Sequence, residues 1–441
     1  MEAASYLSSG YGLRRSIERQ RGWVKLGSLA RFWAPPRIKQ VFVDKEYGTP
    51  YLNTSQVFEV RPAPRKFLAR EKISKAESRL AQQGTILVMA SASPGRSTLV
   101  TAAHENSILS HHFMRVEPRS EELWGWIYAY LKSPQGQAMM SGSQYASIIR
   151  HIEPHHVEAL PVPMVSEVTA LDFQQKVERI LSLRNSAFEL GEEADRRFAE
   201  AIGPVRPDQR EDGFEVSSSL LSVGRRRLEA SRHNPVAAGI ISKFKKVDRL
   251  GDITKRIWWM SRFKRFYGEG GLPYISADEL FSINPQGSKK ILVSPDDNHA
   301  DYFVDPDWIV MACSGQTYGM NGAATLLSEH HANTFFSHDL IRISADKEKV
   351  RPGFLVTALT HRTHGRPLLI REAYGTSIPH LDPSDVAQFP VVRLSKKVED
   401  AIADLAESSA RSRFEADVLE QQLAIRAGAL VDRFIAGVSE L

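Results

Sequence analysis

Two apolar runs in the sequence each end in a short polar loop that contains glycine. The first loop follows residues 86–90 and reaches Arg96, and the second follows residues 309–312 and reaches Asn321. Backbone amides in such turns can bind phosphate, and Arg, Gln or Asn side chains can read base edges. An ordinary turn with an exposed polar tip has the same composition, so spacing alone leaves both interpretations open. The candidate residues are Ser91, Ser93, Gly95 and Arg96 in the first loop, and Ser314, Gln316, Tyr318 and Asn321 in the second.

Basic side chains crowd two further stretches. The first contains Arg61, Arg65, Lys66, Arg70, Lys72 and Lys75, and the second contains Arg256, Arg262, Lys264, Arg265, Lys289 and Lys290 with Trp258, Trp259, Phe263, Phe266 and Tyr267 interleaved. Basic residues mixed with aromatic ones are typical of a nucleic-acid surface. A charged run is more often a solvated face, so the aromatic-rich stretch over 255–267 is the stronger candidate. The additional candidate DNA-binding residues are Arg65, Lys66, Arg256, Arg262, Lys264 and Arg265.

Motifs for catalysis and metal binding are missing from the sequence. The pairs His111-His112, His155-His156 and His330-His331 are adjacent, and adjacent residues do not share a helix face. Paired cysteines and His-Glu-x-x-His spacing are absent, so no metal site is expected. The sequence has no Asn-Pro-Pro-Tyr-like tetrapeptide and no Gly-x-x-x-x-Gly-Lys-Ser/Thr loop. We therefore expect a protein without a catalytic site.

The composition is that of an ordinary globular protein with a slight basic excess. Apolar residues make up 42% and charged residues 25%, which is the usual balance for a folded domain. A net charge of +5 and a pI near 9.1 permit an anionic partner. The single cysteine, Cys313, excludes a disulfide framework. With no apolar run of about 18 residues and no signal-like start, the sequence predicts a soluble, cytoplasmic protein that does not bind membranes.

One block of sequence occurs twice, and the rest of the chain is arranged around it. Residues 145–163 and 374–392 share Tyr, Ile, His, Pro, Pro and Val at a constant offset of 229 residues. A repeat of this length indicates a duplicated domain, since solenoid repeats are about 20–50 residues long. His151 and His380 recur in the block and are interpreted as structural, hydrogen-bonded residues.

Each copy is followed by a long segment whose apolar residues recur at alternating steps of three and four, as in a coiled-coil seam. Arg184 and Gly191 are weak positions in the first seam, and Ser409 and Ser412 in the second. Two such helices can pair antiparallel. The predicted boundaries are an irregular N-terminal arm over 1–22, a first domain over 23–165, a long helix over 166–202, a linker over 203–222, a second domain over 223–394 and a second long helix over 395–438.

This order resembles the specificity (S) subunit of type I restriction–modification enzymes. The shared features are a Tyr-Gly-Ser-x-Ile-Pro-His-Leu-x-Pro-like segment, a Leu-Pro-Val-Pro strand and a long helix, twice in one chain. The resemblance covers nearly the whole chain and implies an α+β fold. It implies two duplicated mixed α/β target-recognition domains separated by two long antiparallel coiled-coil-like helices.

The resemblance also implies a non-catalytic role in phage defence. Each domain would read one half of a split site in double-stranded DNA. The helices would hold two DNA adenine methyltransferase subunits and, in restriction complexes, motor–nuclease subunits. S-adenosylmethionine is then expected on the partner subunits, with no cofactor on this chain. The alternative is a stand-alone nucleic-acid-binding or scaffold protein derived from such a subunit, without a methyltransferase partner.

Overall fold

The computed structural model describes residues 9–73, 79–142, 151–205, 213–222, 226–283, 289–293, 300–332 and 334–438. The chain divides into two compact units. Unit 1 is Met1–Phe188 together with Glu415–Leu441, and unit 2 is Glu189–Phe414. Each unit combines mainly antiparallel sheets with helices, so the fold is of the α+β class. Among the predicted features, Lys75, Tyr145 and Ile149 lie outside the described residues.

The described residues of unit 1 form two four-stranded sheets and a short two-stranded one. Its strands are β1 (Trp23–Lys25), β2 (Ala30–Trp33), β3 (Phe42–Val43), β4 (Gly48–Leu52), β5 (Lys66–Ala69), β6 (Ile86–Met89), β7 (Ser97–Leu99), β8 (Ile108–Leu109), β9 (Phe113–Pro118) and β10 (Pro161–Pro163). The sheet orders are β2-β9-β6-β7, β3-β5-β4-β8 and β1-β10. Strand β6, Ile-Leu-Val-Met, is buried along its whole length, which explains its continuous apolar sequence.

The helices of unit 1 pack in the core of the first of these sheets, except the short helix Thr54–Val57, which contacts β4 of the second. They are α1 (Ser9–Glu18), α2 (Leu26–Leu29), α3 (Thr54–Val57), α4 (Trp124–Lys132), α5 (Pro134–Gly142), α6 (Pro154–Glu158) and α7 (Glu167–Ile202), the last of which continues into unit 2. Helix α4 is almost wholly apolar and buried. Its Trp126 packs on Phe173 of α7, with ring centroids 5.1 Å apart, and donates its indole N–H to the carbonyl of Pro163. The same core therefore joins the sheet to the long helix.

The N-terminal region is helical, and the prediction of an irregular arm over 1–22 is wrong for its described part. Helix α1 contacts α5 and buries Ile17 completely, while Leu13 packs against the same core. Gly10 faces the backbone carbonyl of Ala138, so its missing side chain permits the close approach of the two helices. The prediction was wrong because glycines and arginines dominate this segment. Only Leu13 and Ile17 have the i, i+4 spacing that indicates the apolar face of an amphipathic helix.

Unit 2 has the same kind of architecture. Its strands are β11 (Val247–Arg249), β12 (Thr254–Trp258), β13 (Phe266–Ile275), β14 (Lys290–Leu292), β15 (Ile309–Ala312), β16 (Ala324–Leu326), β17 (Phe335–Phe336), β18 (Leu340–Ala345) and β19 (Pro390–Val392). Its sheets have the orders β12-β18-β15-β16, β14-β13-β17 and β11-β19. Its helices are α8 (Ser218–Leu221), α9 (Ala230–His233), α10 (Pro235–Ile241), α11 (Ala277–Leu280), α12 (Pro352–Thr360), α13 (Arg366–Ile370), α14 (Pro383–Val386) and α15 (Lys396–Ile435).

The central sheets of the two units agree in strand order and in register. Ile86 of β6 lies opposite Val116 and Leu99, and Ile309 of β15 lies opposite Ile343 and Leu326. The connecting loops differ by four residues, because seven residues (90–96) join β6 to β7 and eleven (313–323) join β15 to β16. The units therefore share a framework that carries loops of different length.

The two long helices contribute to both units. In unit 1, Asp172 pairs with Arg426 at 2.7 Å and Arg184 with Asp417 at 2.6 Å, so α7 and α15 run in opposite directions there. In unit 2, Phe198 of α7 and Ile402 of α15 belong to one apolar core. Short helix α8 lies within the predicted linker over 203–222, and α9 and α10 precede β11 at the start of the predicted second domain.

In each unit a short helix packs closely against a long helix at a glycine. A Cβ built on Gly125 of α4 would lie 2.4 Å from the backbone nitrogen of Gln174 in α7. A Cβ built on Gly353 of α12 would lie 2.5 Å from the carbonyl oxygen of Ala403 in α15. Real Cβ contacts are not this short, so both positions require glycine.

Candidate nucleic-acid interface

Equivalent hydrogen bonds close the two candidate loops. In unit 1 the amide of Met89 donates to the carbonyl of Arg96, and that of Gly95 to the carbonyl of Met89. In unit 2 the amide of Ala312 donates to Ala323, and that of Gly322 to Ala312. Gly95 and Gly322 have φ angles of 90° and 75°, in the left-handed region that favours glycine. The bases of the loops are therefore alike, and the difference in length lies within them.

The duplicated histidine block lies beside these loops. Ser91 forms a β-bridge with His151, and Ser314 forms one with His380. The residue after each histidine donates its amide to the residue before each serine, Ile152 to Ala90 at 2.9 Å and Leu381 to Cys313 at 2.8 Å. The repeated block is thus the backbone support of the loops, which accounts for its recurrence in both halves of the chain.

In the first loop, most candidate side chains serve the structure of the loop. Ser91 is buried and its hydroxyl lies 2.7 Å from Nδ1 of His112. Burial lowers the pKa of His112, and the nearby Arg37 and His151 lower it further, so the ring is neutral at neutral pH. Gly95 is buried, and the guanidinium of Arg96 lies 3.7 Å from the centre of the Phe58 ring. Ser93, at the tip, is exposed to solvent.

The second loop is a braced finger. Asn321 is fully buried and donates from Nδ2 to the carbonyls of Gly315 and Pro379, at 3.2 and 2.9 Å. Arg366 of α13 donates to the carbonyls of Thr317 and Gly319. These bonds fix the loop backbone without using its outer face.

The braced finger presents its polar and aromatic groups to solvent. Tyr318 is 72% exposed. Gln316 is exposed and donates its amide to the carbonyl of Ser377 at 2.9 Å, while Ser314 is half-buried. A ring held out on a rigid loop can contact a partner at low entropic cost. The outer face of this loop therefore consists of Gln316 and Tyr318.

The remaining candidates lie on or beside the second sheet of each unit, except Arg256, which lies on β12 of the central sheet. In unit 1, Arg65 is paired with Glu59 at 2.8 Å, and Nζ of Lys66 lies 4.6 Å from the centre of the Phe42 ring. In unit 2, Arg262 and Lys264 are exposed in the segment between β12 and β13. The other two form ion pairs on the surface, Arg256 with Asp301 at 3.2 Å and Arg265 with Asp339 at 3.8 Å. Exposed pairs of this kind are weak and leave the cations available to phosphate.

Exposed aromatic rings accompany the cations of unit 2. Phe266 is 62% exposed, Tyr267 51% and Trp259 38%, whereas Trp258 is buried beneath Arg256. The sequence predicted a mixed basic and aromatic surface over 255–267, and these side chains form one. Each unit thus has two groups of candidates, a loop at the end of the central sheet and a basic surface on the second sheet.

Neither a metal site nor a reactive thiol is found in the described ranges. They contain no group of three or more His, Cys, Asp and Glu side chains that could hold a metal ion. Burial raises the pKa of Cys313 to about 12, so its thiol is protonated and unreactive at neutral pH. No helix in these ranges is long and apolar enough to cross a membrane.

Sequence reasoning missed several residues that shape the loops. His112, Phe58 and Arg366 hold the loop residues, but each is distant from them in the sequence. Their residue types are common and carry no motif.

Comparisons with known proteins extend over nearly the full length of the chain. No family model and no curated protein matches it. The S subunit of the type I restriction–modification system from M. genitalium is 15% identical, with 94% of this chain and 95% of that chain covered and a TM-score of 0.37. A structure concerning complex assembly and conformational transition of the type I R-M system is 13% identical, with 94% and 97% covered and a TM-score of 0.29. The HsdS subunit from Thermoanaerobacter tengcongensis is 14% identical, with 94% and 96% covered and a TM-score of 0.26. Over 94% of its length, the chain is therefore similar to specificity subunits of type I restriction–modification systems.

Proposed function

We propose that the chain is a DNA sequence-recognition subunit in which each unit reads one half of a bipartite site. One observation carries this proposal: the two units share strand order, register and loop closure, yet their loops differ. The first loop has seven residues and exposes Ser93, whereas the second has eleven and exposes Gln316 and Tyr318. A common framework with different reading groups suits a protein that recognises two different short sequences.

The charge on the second sheets supports DNA as the partner. Both units carry exposed cations on or beside the second sheet. They are Arg65 and Lys66 in unit 1, and Arg262 and Lys264 in unit 2. Cations on such surfaces neutralise phosphates and fix the register of a protein on the duplex, while loop side chains read the bases. The candidate surfaces thus supply the two kinds of contact that specific binding requires.

Catalysis is assigned to partner subunits. The motif resemblance to S subunits supports docking of two DNA adenine methyltransferase subunits that use S-adenosylmethionine, and of motor–nuclease subunits in a restriction complex. The chain itself would bind no cofactor and would act in phage defence in the cytoplasm. The sequence offers no Asn-Pro-Pro-Tyr-like tetrapeptide with which it could transfer a methyl group itself.

The purified chain should bind duplex DNA in a strongly salt-dependent manner and should not methylate it. If six to ten phosphates are contacted, affinity falls by about 10³–10⁵-fold between about 50 and 200 mM salt. Fluorescence anisotropy with a labelled random-sequence duplex measures this dependence. Replacing Arg262 and Lys264 together by alanine should lower the slope of log affinity against log salt by about 0.9 per lost contact.

Lys396→Ala is the matched control, because Lys396 is a highly exposed cation at the start of α15, away from the second sheet. It should leave the slope unchanged. Methyl transfer by the isolated chain supplied with S-adenosylmethionine would contradict the assignment of catalysis to partners. Binding without salt dependence would contradict the phosphate contacts. A chain that binds DNA but supports no methyltransferase would instead be the stand-alone binding protein.

A further inference from the structure

Each unit presents an aromatic ring at the same place on its second sheet. Phe42 of β3 lies opposite Leu68 of β5, and Tyr267 of β13 lies opposite Ile291 of β14. Leu68 and Ile291 are both 1% exposed, whereas Phe42 is 40% and Tyr267 51% exposed. The register therefore makes Phe42 and Tyr267 equivalent, although their offset differs from that of the surrounding sequence.

Each of the two rings lies beside a buried tyrosine of its own unit. The centroids of Phe42 and Tyr51 are 6.2 Å apart, and those of Tyr267 and Tyr274 are 6.0 Å apart. Tyr51 and Tyr274 are the equivalent residues of the repeated Gly-x-Pro-Tyr segment. Nine residues separate the rings along the chain in unit 1 and seven in unit 2, which explains why the sequence does not align them.

A cation accompanies each ring. Nζ of Lys66 lies 4.6 Å from the centre of the Phe42 ring. The guanidinium of Arg265 neighbours the Tyr267 side chain, and its ion pair with Asp339 is long, at 3.8 Å. An aromatic face beside a cation matches a nucleotide at an opened base step of the duplex, where the base stacks on the inserted ring while its phosphate meets the charge.

The surroundings favour DNA over a protein as the partner of these rings. A protein-docking patch is usually depleted of lysine at its centre. Here Nζ of Lys66 lies 4.6 Å from the centre of the Phe42 ring, and the exposed Arg65 immediately precedes it at the start of β5. In unit 2, Lys264 and Lys289 are exposed on the same sheet region as Tyr267. An anionic partner with flat apolar groups fits this combination.

We propose that Phe42 and Tyr267 are equivalent residues, one in each unit, that stack on a base at an opened step of the duplex, and that Lys66 and Arg265 bind the phosphate beside that base. The inference rests on the proposed DNA-reading function and adds a second contact to each half-site, separate from the loops. It also predicts that the two units use one common contact mode and one divergent mode. The ring and its cation, which both units share, position the DNA, and the loop, which differs between the units, discriminates between base sequences.

The test uses the full chain and the duplex that the wild-type protein enriches from a random-sequence pool. Phe42→Ala and Tyr267→Ala should each weaken binding roughly 5- to 100-fold, the range for loss of one stacked base. The salt slope should stay unchanged, because no charge is removed. Lys66→Ala should instead lower the slope by about 0.9. Phe42→Tyr and Tyr267→Phe, which keep the ring face, should bind as the wild type does.

Tyr11→Ala is the matched control in unit 1. Tyr11 is 40% exposed, as Phe42 is, but it lies on α1 and not on the second sheet. The control should bind DNA normally. Wild-type binding by the two alanine variants would overturn the inference while leaving the DNA-reading function intact. Weakened DNA binding by Phe42→Tyr or Tyr267→Phe would also overturn it. So would alanine variants that bind DNA normally but no longer bind a methyltransferase subunit. A wild-type chain that enriches no duplex would overturn the proposed function itself.

Discussion

Glu420→Ala should lower the free energy of unfolding by about 3–5 kcal/mol, the usual result of removing one partner from a buried ion pair. Glu420 of α15 is 2% exposed and accepts hydrogen bonds from Arg184 at 2.8 Å and from the hydroxyl of Tyr128. Nζ of Lys132 lies 3.4 Å from Oε1 of Glu420, the oxygen that accepts from Tyr128. Alanine would remove the carboxylate that these buried donors share and leave their charges less well compensated. Urea denaturation followed by tryptophan fluorescence measures the loss.

Glu415→Ala provides the control on the same helix. Glu415 pairs with Arg179 at 2.7 Å, but both side chains are about half exposed, at 50% and 56%. Exposed pairs contribute about 0–1 kcal/mol, so this variant should unfold almost as the wild type does. Equal losses for the two variants would contradict a buried cluster.

The contribution of Glu420 should disappear in acid. Burial would raise the pKa of this carboxyl, but the charges of Lys132 and Arg184 outweigh burial and hold the pKa below its ordinary value of 4.5. A group with a lowered folded-state pKa stabilises the fold above its unfolded pKa and loses that effect as the pH falls. The difference in stability between the wild type and Glu420→Ala should therefore be full at neutral pH and shrink below about pH 4.5. A difference that is constant with pH would contradict this sign.

Gly125→Ala should destabilise the protein, by about 1–3 kcal/mol or more, even though alanine is the better helix former. The new Cβ would lie 2.4 Å from the Gln174 backbone, which cannot move aside as a flexible side chain could. Helix α4 would have to shift away from α7 and disturb the core around Trp126 and Phe173. Gly353→Ala should do the same in unit 2, against Ala403. Thermal and urea unfolding of the single variants measure both losses.

Gly12→Ala and Gly239→Ala are the matched controls. Each lies inside a helix, α1 or α10, and nothing lies within 4 Å of a Cβ built there. Each should gain about 0.5–1 kcal/mol from the lower conformational entropy of the unfolded chain. If all four variants changed stability in the same direction, close packing at Gly125 and Gly353 would be refuted.

Part of this structure could be read from the sequence because it depends on periodicity. The apolar steps of three and four predicted long helices over 166–202 and 395–438, and the structure has helices at Glu167–Ile202 and Lys396–Ile435. Arg184 interrupts the apolar seam of the first long helix, and the sequence therefore indicated a weak position in its packing. Its partners, Asp417 and Glu420, lie more than two hundred residues away, so only the folded chain shows that the break is a buried ion cluster.

The loops were located correctly, but the function of their side chains could not be read. Asn321 and Arg96 carry groups suited to base edges, yet Asn321 is buried and Arg96 covers Phe58. A polar residue in a loop can stabilise the loop or face a ligand, and only tertiary contacts distinguish the two. Phe42 was missed for a different reason, since a change of two residues in spacing concealed its equivalence to Tyr267.

The central claim is that two units read two half-sites independently, and exchanging the loops tests it most directly. Residues 313–321 can be replaced by residues 90–94, because equivalent hydrogen bonds close both loops. DNA selected by the purified variant from a random-sequence duplex pool is then sequenced and compared with the wild-type selection. The account predicts that one half of the selected motif changes and the other half is retained. Change in both halves, or in neither, in a variant that still unfolds cooperatively would contradict it.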